Sequence, residues 1–136
     1  MDVVAAILVY ENKIISFKRG YSENEEISFK YEFPGGKVKE NEGLKKALRR
    51  ELKEELNIEI GELFFFFKNS FSYSRFDVLL HFYIAKLDLV EFKLKSHIEY
   101  KIIEIENLKS LEWLAGDYPV INYMEKNLRS FYKPLN

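Results

Sequence analysis

From Gly36 to Ile58 the chain sets one glycine, four glutamates and one arginine at fixed offsets: Gly36, then Glu42, then Arg50-Glu51, then Glu54-Glu55. Leu44, Leu48, Leu52 and Leu56 recur every fourth residue through the same run. That stripe predicts an amphipathic helix from about Asn41 to Leu56. Asn57 follows directly, and after glycine asparagine is the commonest residue in a left-handed C-cap. At 100° per residue, Glu51, Glu54 and Glu55 share a sector roughly 100° wide beside the leucines, at the rim of the core. Three carboxylates so placed repel one another unless something cationic sits among them. The spacing therefore points to a divalent metal and a polyphosphate. Oxygen ligands of this kind suit Mg²⁺, which takes one or two protein carboxylates together with phosphate and water. Upstream, Pro34-Gly35-Gly36 reads as a turn whose backbone can approach a ligand without side-chain obstruction. Arg50 can hold a neighbouring carboxylate through its planar fork of donors. The segment KKALRRELKEEL is also the pattern of a solvated, salt-bridged helix. The joint match of glycine, Glu42, Arg50 and three further glutamates overturns that plainer reading.

The remaining composition narrows the class. A length of 136 residues suits one domain spanning 1–136 with a single core. With a net charge of -1 the chain has no electrostatic recommendation for a nucleic-acid polymer or an anionic membrane, while a small anionic ligand held through a metal is compatible. Cysteine is absent, which excludes disulfides, thiolate metal sites and cysteine nucleophiles, and His81 and His97 alone do not make a histidine-rich zinc site. The apolar start MDVVAAILVYENK lacks a basic leader and falls short of the ~20 residues that span a bilayer. The expected location is cytoplasmic.

Val3 to Tyr10 and Lys13 to Lys18 read as a strand hairpin turning at Glu11-Asn12. Ser22 to Ser28 is a surface loop, and Lys30 to Phe33 a short strand closed by the Pro-Gly-Gly turn. Glu62 to Phe67, Asp77 to Lys86 and Glu99 to Ile105 read as further strands, and Leu108 to Leu114 as a short helix. A last helix is expected from Tyr118 to Phe131, with Val120, Ile121, Met124, Leu128 and Phe131 inward, Pro119 in its first turn and Asp117 a plausible cap. Strands flanking a central helix, with a second helix to close, predict a mixed sheet between helical layers.

The run Gly36–Ile58 resembles the Nudix box, Gly-x5-Glu-x7-Arg-Glu-U-x-Glu-Glu-x-Gly-U with U a bulky aliphatic. Leu52 and Ile58 fill the aliphatic positions, and Asn57 replaces the final glycine. Because asparagine tolerates positive φ, the cap should survive. The resemblance implies an α/β fold, a Nudix-type α/β/α sandwich with a mixed β-sheet, hydrolysing a nucleoside diphosphate linked to another moiety with Mg²⁺ or Mn²⁺. It implies Glu51, Glu54, Glu55 and the Gly36 carbonyl as metal ligands. Glu51 or Glu54 would help activate water, Arg50 would orient the glutamates, and Glu42 would support the loop.

Within the superfamily, Tyr31-Glu32-Phe33-Pro34-Gly35-Gly36-Lys37 and Leu111-Glu112-Trp113-Leu114-Ala115-Gly116-Asp117-Tyr118-Pro119-Val120-Ile121 are similar to the MutT-like nucleoside triphosphate pyrophosphohydrolases, with Ala115 and Gly116 replacing Pro and Ala. The resemblance implies conversion of a nucleoside triphosphate, such as an oxidised guanine or a cytosine nucleotide, to monophosphate and pyrophosphate. Asp117 falls at the base-contacting position, and its other reading is a helix cap. Phe33 either lies against the base or belongs to the core. Arg19 either reaches the phosphates or is an exposed hairpin-end charge, and Gly35 belongs to the ligand-facing turn. Where the group often carries a Glu-His pair this chain has Ser96-His97, so Glu99 could substitute from a shifted loop, or the helix glutamates suffice, or turnover is low. His97 then reads as an ordinary surface or structural residue and His81 as a satisfied core histidine. Other diphosphates remain open, ADP-ribose or, on the weak signal of Tyr73, dinucleoside polyphosphates. A non-catalytic nucleotide sensor is the third possibility. The expected partner is a small nucleotide, and the chain a monomer or homodimer.

Overall fold

The computed structural model describes residues 1–127. The apolar, β-branched start forms β1, Asp2–Tyr10, and a left-handed Glu11-Asn12 pair turns it into β2, Lys13–Arg19. β1 lies at the centre of a mixed sheet because its side chains are buried on both faces, as expected of a strand covered on each side. It runs antiparallel to β2 and parallel to β6, Asp77–Lys86, which pairs with β5, Phe64–Ser72. β3, Tyr31–Glu32, and β7, His97–Ile103, both pair with β2.

Val4, Ala6, Leu8, Ile15 and Phe17 face α1, Leu44–Leu56, whose Ala47, Leu48, Leu52 and Leu56 are fully buried against them. Burying each of those leucines stabilises the layer by about 2 kcal/mol. Ala5, Ile7, Val9, Phe82 and Ile84 face the other way, onto Trp113 and onto Val120, Ile121 and Met124 of α2, Tyr118–Lys126. The sheet therefore lies between two helical layers, the α/β/α arrangement expected from the pattern of elements. No helix among the described residues is long and apolar enough to cross a membrane.

Several boundaries differ from the sequence expectations, each for a local reason. α1 starts at Leu44 rather than Asn41, because Asn41 takes φ 62 and Gly43 stands as the N-cap. Gly35–Lys37 is a strand, β4, and not only a turn: it pairs with β1 from Ala5 to Val3. A Cβ at Gly35 would overlap the Val4 carbonyl, so only glycine lets the two backbones approach this closely. β5 runs on past Phe67 to Ser72 as an edge strand with a register shift between Phe65 and Phe67. The segment Ile105–Ser110 is a 3₁₀ turn and Trp113 bridges to Tyr31, where one short helix over 108–114 was expected. The expected inward residues Leu128 and Phe131 lie outside the described residues. Asn57 caps α1 as anticipated, at φ 56 and ψ 42, with its N–H on the Lys53 carbonyl at 3.0 Å.

Candidate active site

The end of α1 and the glycines of β4 build the site together. Glu51 and Glu55, one helical turn apart, both face the Gly35-Gly36 backbone. Gly35 donates its N–H to Glu55 at 3.0 Å, and a Cβ on Gly36 would collide with the Glu51 carboxylate. Gly36 is thus a cradle for that carboxylate. Arg50 donates to both oxygens of Glu42 at 2.8 and 2.9 Å, to Glu51 at 2.9 Å, to Glu54 at 3.4 Å and to the Lys37 carbonyl at 3.1 Å. Glu42 also accepts the Lys39 N–H at 3.0 Å, and the Arg50 bonds foremost hold its carboxyl at about 2. The guanidinium is held correspondingly more basic. Glu54 is the exposed member, its side chain 57% accessible, whereas Glu51 is at 17%.

Glu55 has a different balance of charge. Burial, followed by the charges of Glu32 and Glu51, pushes its carboxyl up to about 8, against the Gly35 N–H and Arg19. The site holds more carboxylate than its own cations neutralise. One donor atom each from Glu32, Glu55 and His97 lie within 4.8 Å of one another, a group able to hold a metal ion. Two carboxylates and an imidazole nitrogen in reach of one ion suit a divalent cation, and of the expected ligands Glu51, Glu54 and Glu55 this group contains Glu55.

Two members of this neighbourhood carried no role in the sequence reading. Glu32 accepts from Arg19 at 3.3 Å on both oxygens and meets His97 Nε2 at 2.7 Å. His97 is buried beside Phe17, with ring centroids 5.3 Å apart, which settles the surface-or-structural alternative against the surface. It arrives there because the β2–β7 register shifts between Lys18 and Arg19, so that Arg19 pairs with His97. No local signal encodes that shift. Glu32 could have been suspected as a lone carboxylate in an otherwise apolar strand beside the glycines. Glu99 does not substitute at the site: it accepts the Tyr31 hydroxyl at 2.9 Å and pairs with Lys18 at 3.7 Å. His81 is buried and satisfied by Asp2 at 2.8 Å, as expected.

A cavity of about 190 Å³ adjoins the glycines, lined by Gly35, Gly36, Arg19 and Glu32 and also by Tyr73 and Asp117. Asp117 occupies the N-cap position of α2 but makes no side-chain capping bond. Its carboxyl is fully buried and takes a long 3.4 Å bond from the Phe33 N–H. Burial, with Glu32 adding to it, raises its pKa well above the ordinary carboxylate value. Asp117 is therefore a buried carboxyl at the cavity wall that makes no capping bond. Phe33 lines the cavity too, yet its ring is core, 4.7 Å from Trp113 and 6.0 Å, edge-on, from Phe82. A larger groove of about 480 Å³, between Asn57–Gly61 and Lys86–Lys93, contains none of these groups.

Residues 1–124 match the family described as the NUDIX domain. The chain belongs to the Nudix family. An 8-oxo-dGTP diphosphatase of Buchnera aphidicola subsp. Schizaphis graminum is 30% identical over 132 residues, 97% of each chain. The CTP pyrophosphohydrolase of Escherichia coli K12 is 42% identical over 64 residues, 46% of each chain. Among solved structures, the MutT protein from Methanosarcina mazei Go1 superposes with a TM-score of 0.81 at 23% identity, covering 96% of this chain and 94% of that one. This Nudix domain is a MutT-like hydrolase acting on phosphoric anhydride bonds.

Proposed function

We propose that this Nudix domain hydrolyses a nucleoside triphosphate to the monophosphate and pyrophosphate with Mg²⁺ or Mn²⁺, and that an oxidised guanine or a cytosine nucleotide is its substrate. The observation that carries this is a single cavity whose wall holds both the β4 glycines, which also contact Glu51 and Glu55, and the buried Asp117 carboxyl. Its volume lies below the roughly 300–1,000 Å³ of pockets that enclose whole ligands. It therefore suits a base, leaving the phosphates to run out along the glycines toward α1. The names of the relatives, an 8-oxo-dGTP diphosphatase and a CTP pyrophosphohydrolase, agree with that choice.

Glu51, Glu54 and Glu55 would hold the metal, with the Gly36 carbonyl as a further ligand. When bound, the ion would supply charge neutralisation on the phosphates and a lowered pKa for attacking water. Arg50 fixes the Glu51 carboxylate against Gly36 and is itself anchored on Glu42. Glu51 or Glu54 is the candidate to accept the proton of the attacking water. Arg19, already at the cavity wall, would face the phosphates and keeps Glu32 paired. The Asp117 carboxyl would accept from an exocyclic amine on the base edge, a donor that cytosine and an oxidised guanine both carry.

The test is steady-state turnover of 8-oxo-dGTP, dGTP, CTP, dCTP, ATP, ADP-ribose and a dinucleoside polyphosphate with Mg²⁺ in ¹⁸O-water, with products resolved by mass spectrometry. A guanine or cytosine triphosphate should lead the panel and release pyrophosphate. Turnover of ADP-ribose or the dinucleotide in preference to every triphosphate would overturn the assignment. The position of the label tells whether water attacks the α- or the β-phosphorus.

A further inference from the structure

Tyr73 lies just beyond β5, in the hairpin that leads to β6, and is almost wholly buried. Its ring packs on Phe71 at 4.7 Å and on Phe76 at 5.1 Å and lines the cavity that Asp117 also lines. Its hydroxyl oxygen accepts the Gly116 N–H at 2.9 Å. Opposite it stands a residue shaped for that bond. A Cβ on Gly116 would come within 2.8 Å of the tyrosine hydroxyl and 3.1 Å of Leu80 Cδ1. Tyr73 and Gly116 thus fit each other across 43 residues of sequence.

The next residue is Asp117. The other side-chain bonds that hold this stretch are long: Asn69 to the Gly116 carbonyl at 3.4 Å, and the Phe33 N–H to the Asp117 carboxyl at 3.4 Å. The Tyr73 bond is the short one among them. A hydroxyl that accepts from a backbone N–H still keeps its own proton to donate. Burial pushes the Tyr73 hydroxyl up to about 12, so that proton stays in place at neutral pH.

We propose that Tyr73 is a positioning residue for base discrimination: its hydroxyl holds the Ala115–Gly116 peptide, beside the Asp117 N–H bond to the Leu114 carbonyl at 3.0 Å, so that the short turn Ala115–Asp117 presents the Asp117 carboxyl to the nucleobase in one orientation, and residue 116 is glycine to make room for the lock. This rests on the reading of the cavity as the base site. Base preference then belongs to the Tyr73–Gly116–Asp117 unit and not to Asp117 alone. With the Gly116 N–H released, the turn Ala115–Asp117 loses its tie to the hairpin between β5 and β6, and the Asp117 carboxyl it carries discriminates less.

Y73F keeps the ring and leaves the Gly116 N–H without its acceptor. Steady-state kinetics on 8-oxo-dGTP, dGTP, CTP, dCTP and ATP should show KM for the favoured nucleotide rising about tenfold, the scale of one buried hydrogen bond, with kcat falling by less than about threefold. The spread of kcat/KM across the bases should narrow. G116A should produce the same signature, because its methyl displaces the hydroxyl. Added to Y73F, the same substitution should cost no more than about twofold further, since the two act on one contact. An unchanged base preference in Y73F, or equal costs of G116A in both backgrounds, would refute the lock. So would a parallel loss of kcat with KM untouched, accompanied by a lowered melting temperature, which is what a merely structural tyrosine gives. D117N separates this idea from the reading beneath it. If D117N shifts the preference and Y73F does not, only the lock fails; if D117N shifts nothing, the base-site reading fails.

Discussion

Arg50 and Glu42 show how one residue pair organises this site. Two N–H groups of the guanidinium hold both oxygens of Glu42, which leaves the rest of the fork for Glu51, Glu54 and the Lys37 carbonyl. The Glu42 carboxyl sits at about 2 in the fold against an ordinary 4.5. A depressed carboxylate stabilises the fold above its unfolded value and loses that contribution as pH falls through the folded one. The melting temperature of E42Q should therefore lie below wild type at pH 7, with the gap closing between about pH 5 and pH 2. Circular dichroism melts across that range check it, and a gap independent of pH would mean that ionisation of Glu42 contributes nothing. Arg50 and the three helix glutamates were legible as a cluster because helical offsets are set locally, without reference to the rest of the chain, whereas Glu42 precedes the helix and was singled out by the spacing of the box. Glu32, His97 and Tyr73 were not, since a strand register, a bulge and a hairpin bring them in from distant positions. Asp117 was singled out by its place in the motif, but its burial without a capping bond depends on packing that no local pattern states.

At the scale of elements, α1 is held between its leucine face and its ends. Asn57 takes the left-handed conformation that a C-cap requires and so replaces the glycine common at this position of the box. A side chain with a plain Cβ is strained there, whereas asparagine is tolerated and glycine is free. N57A should cost about 1 kcal/mol in chemical denaturation and N57G should stay within about 0.5 kcal/mol of wild type. Equal stabilities for the alanine and glycine variants would show that the left-handed turn is not what selects the residue. The helix and its cap were readable because apolar period and cap chemistry are both short-range. β4 was read only as a turn, because two of its three residues are glycines and Gly35 approaches β1 through the absence of a side chain, which a propensity argument scores as breaking a strand. The tail of β5 was missed because Lys68-Asn69-Ser70 and Ser72 are polar residues of low strand preference, although their burial alternates in the fold.

The whole molecule carries a formal charge of only -1, so the demand for a cation is local and not a property of the surface as a whole. Folding gathers Glu32, Glu51 and Glu55 around the β4 glycines because the leucine stripe fixes the rotation of α1 and the β1–β4 pairing fixes the glycines beneath it. The core thus imposes a like-charge cluster that Arg19 and Arg50 only partly offset, and part of the folding free energy is spent in holding it together. A divalent ion bound there would return that cost, which couples metal affinity to global stability by mass action. At 100 times its dissociation constant, Mg²⁺ or Mn²⁺ should add about 2.7 kcal/mol, raising the melting temperature by roughly 10 °C in a domain of this size. EDTA should reverse the shift, and replacing Glu51 and Glu55 by glutamine should abolish it while raising the metal-free melting temperature. Scanning calorimetry with and without each metal is the direct measurement. A melting temperature that ignores the metal in the wild-type protein, or a metal shift that survives both glutamine replacements, would remove these carboxylates as the site of the ion.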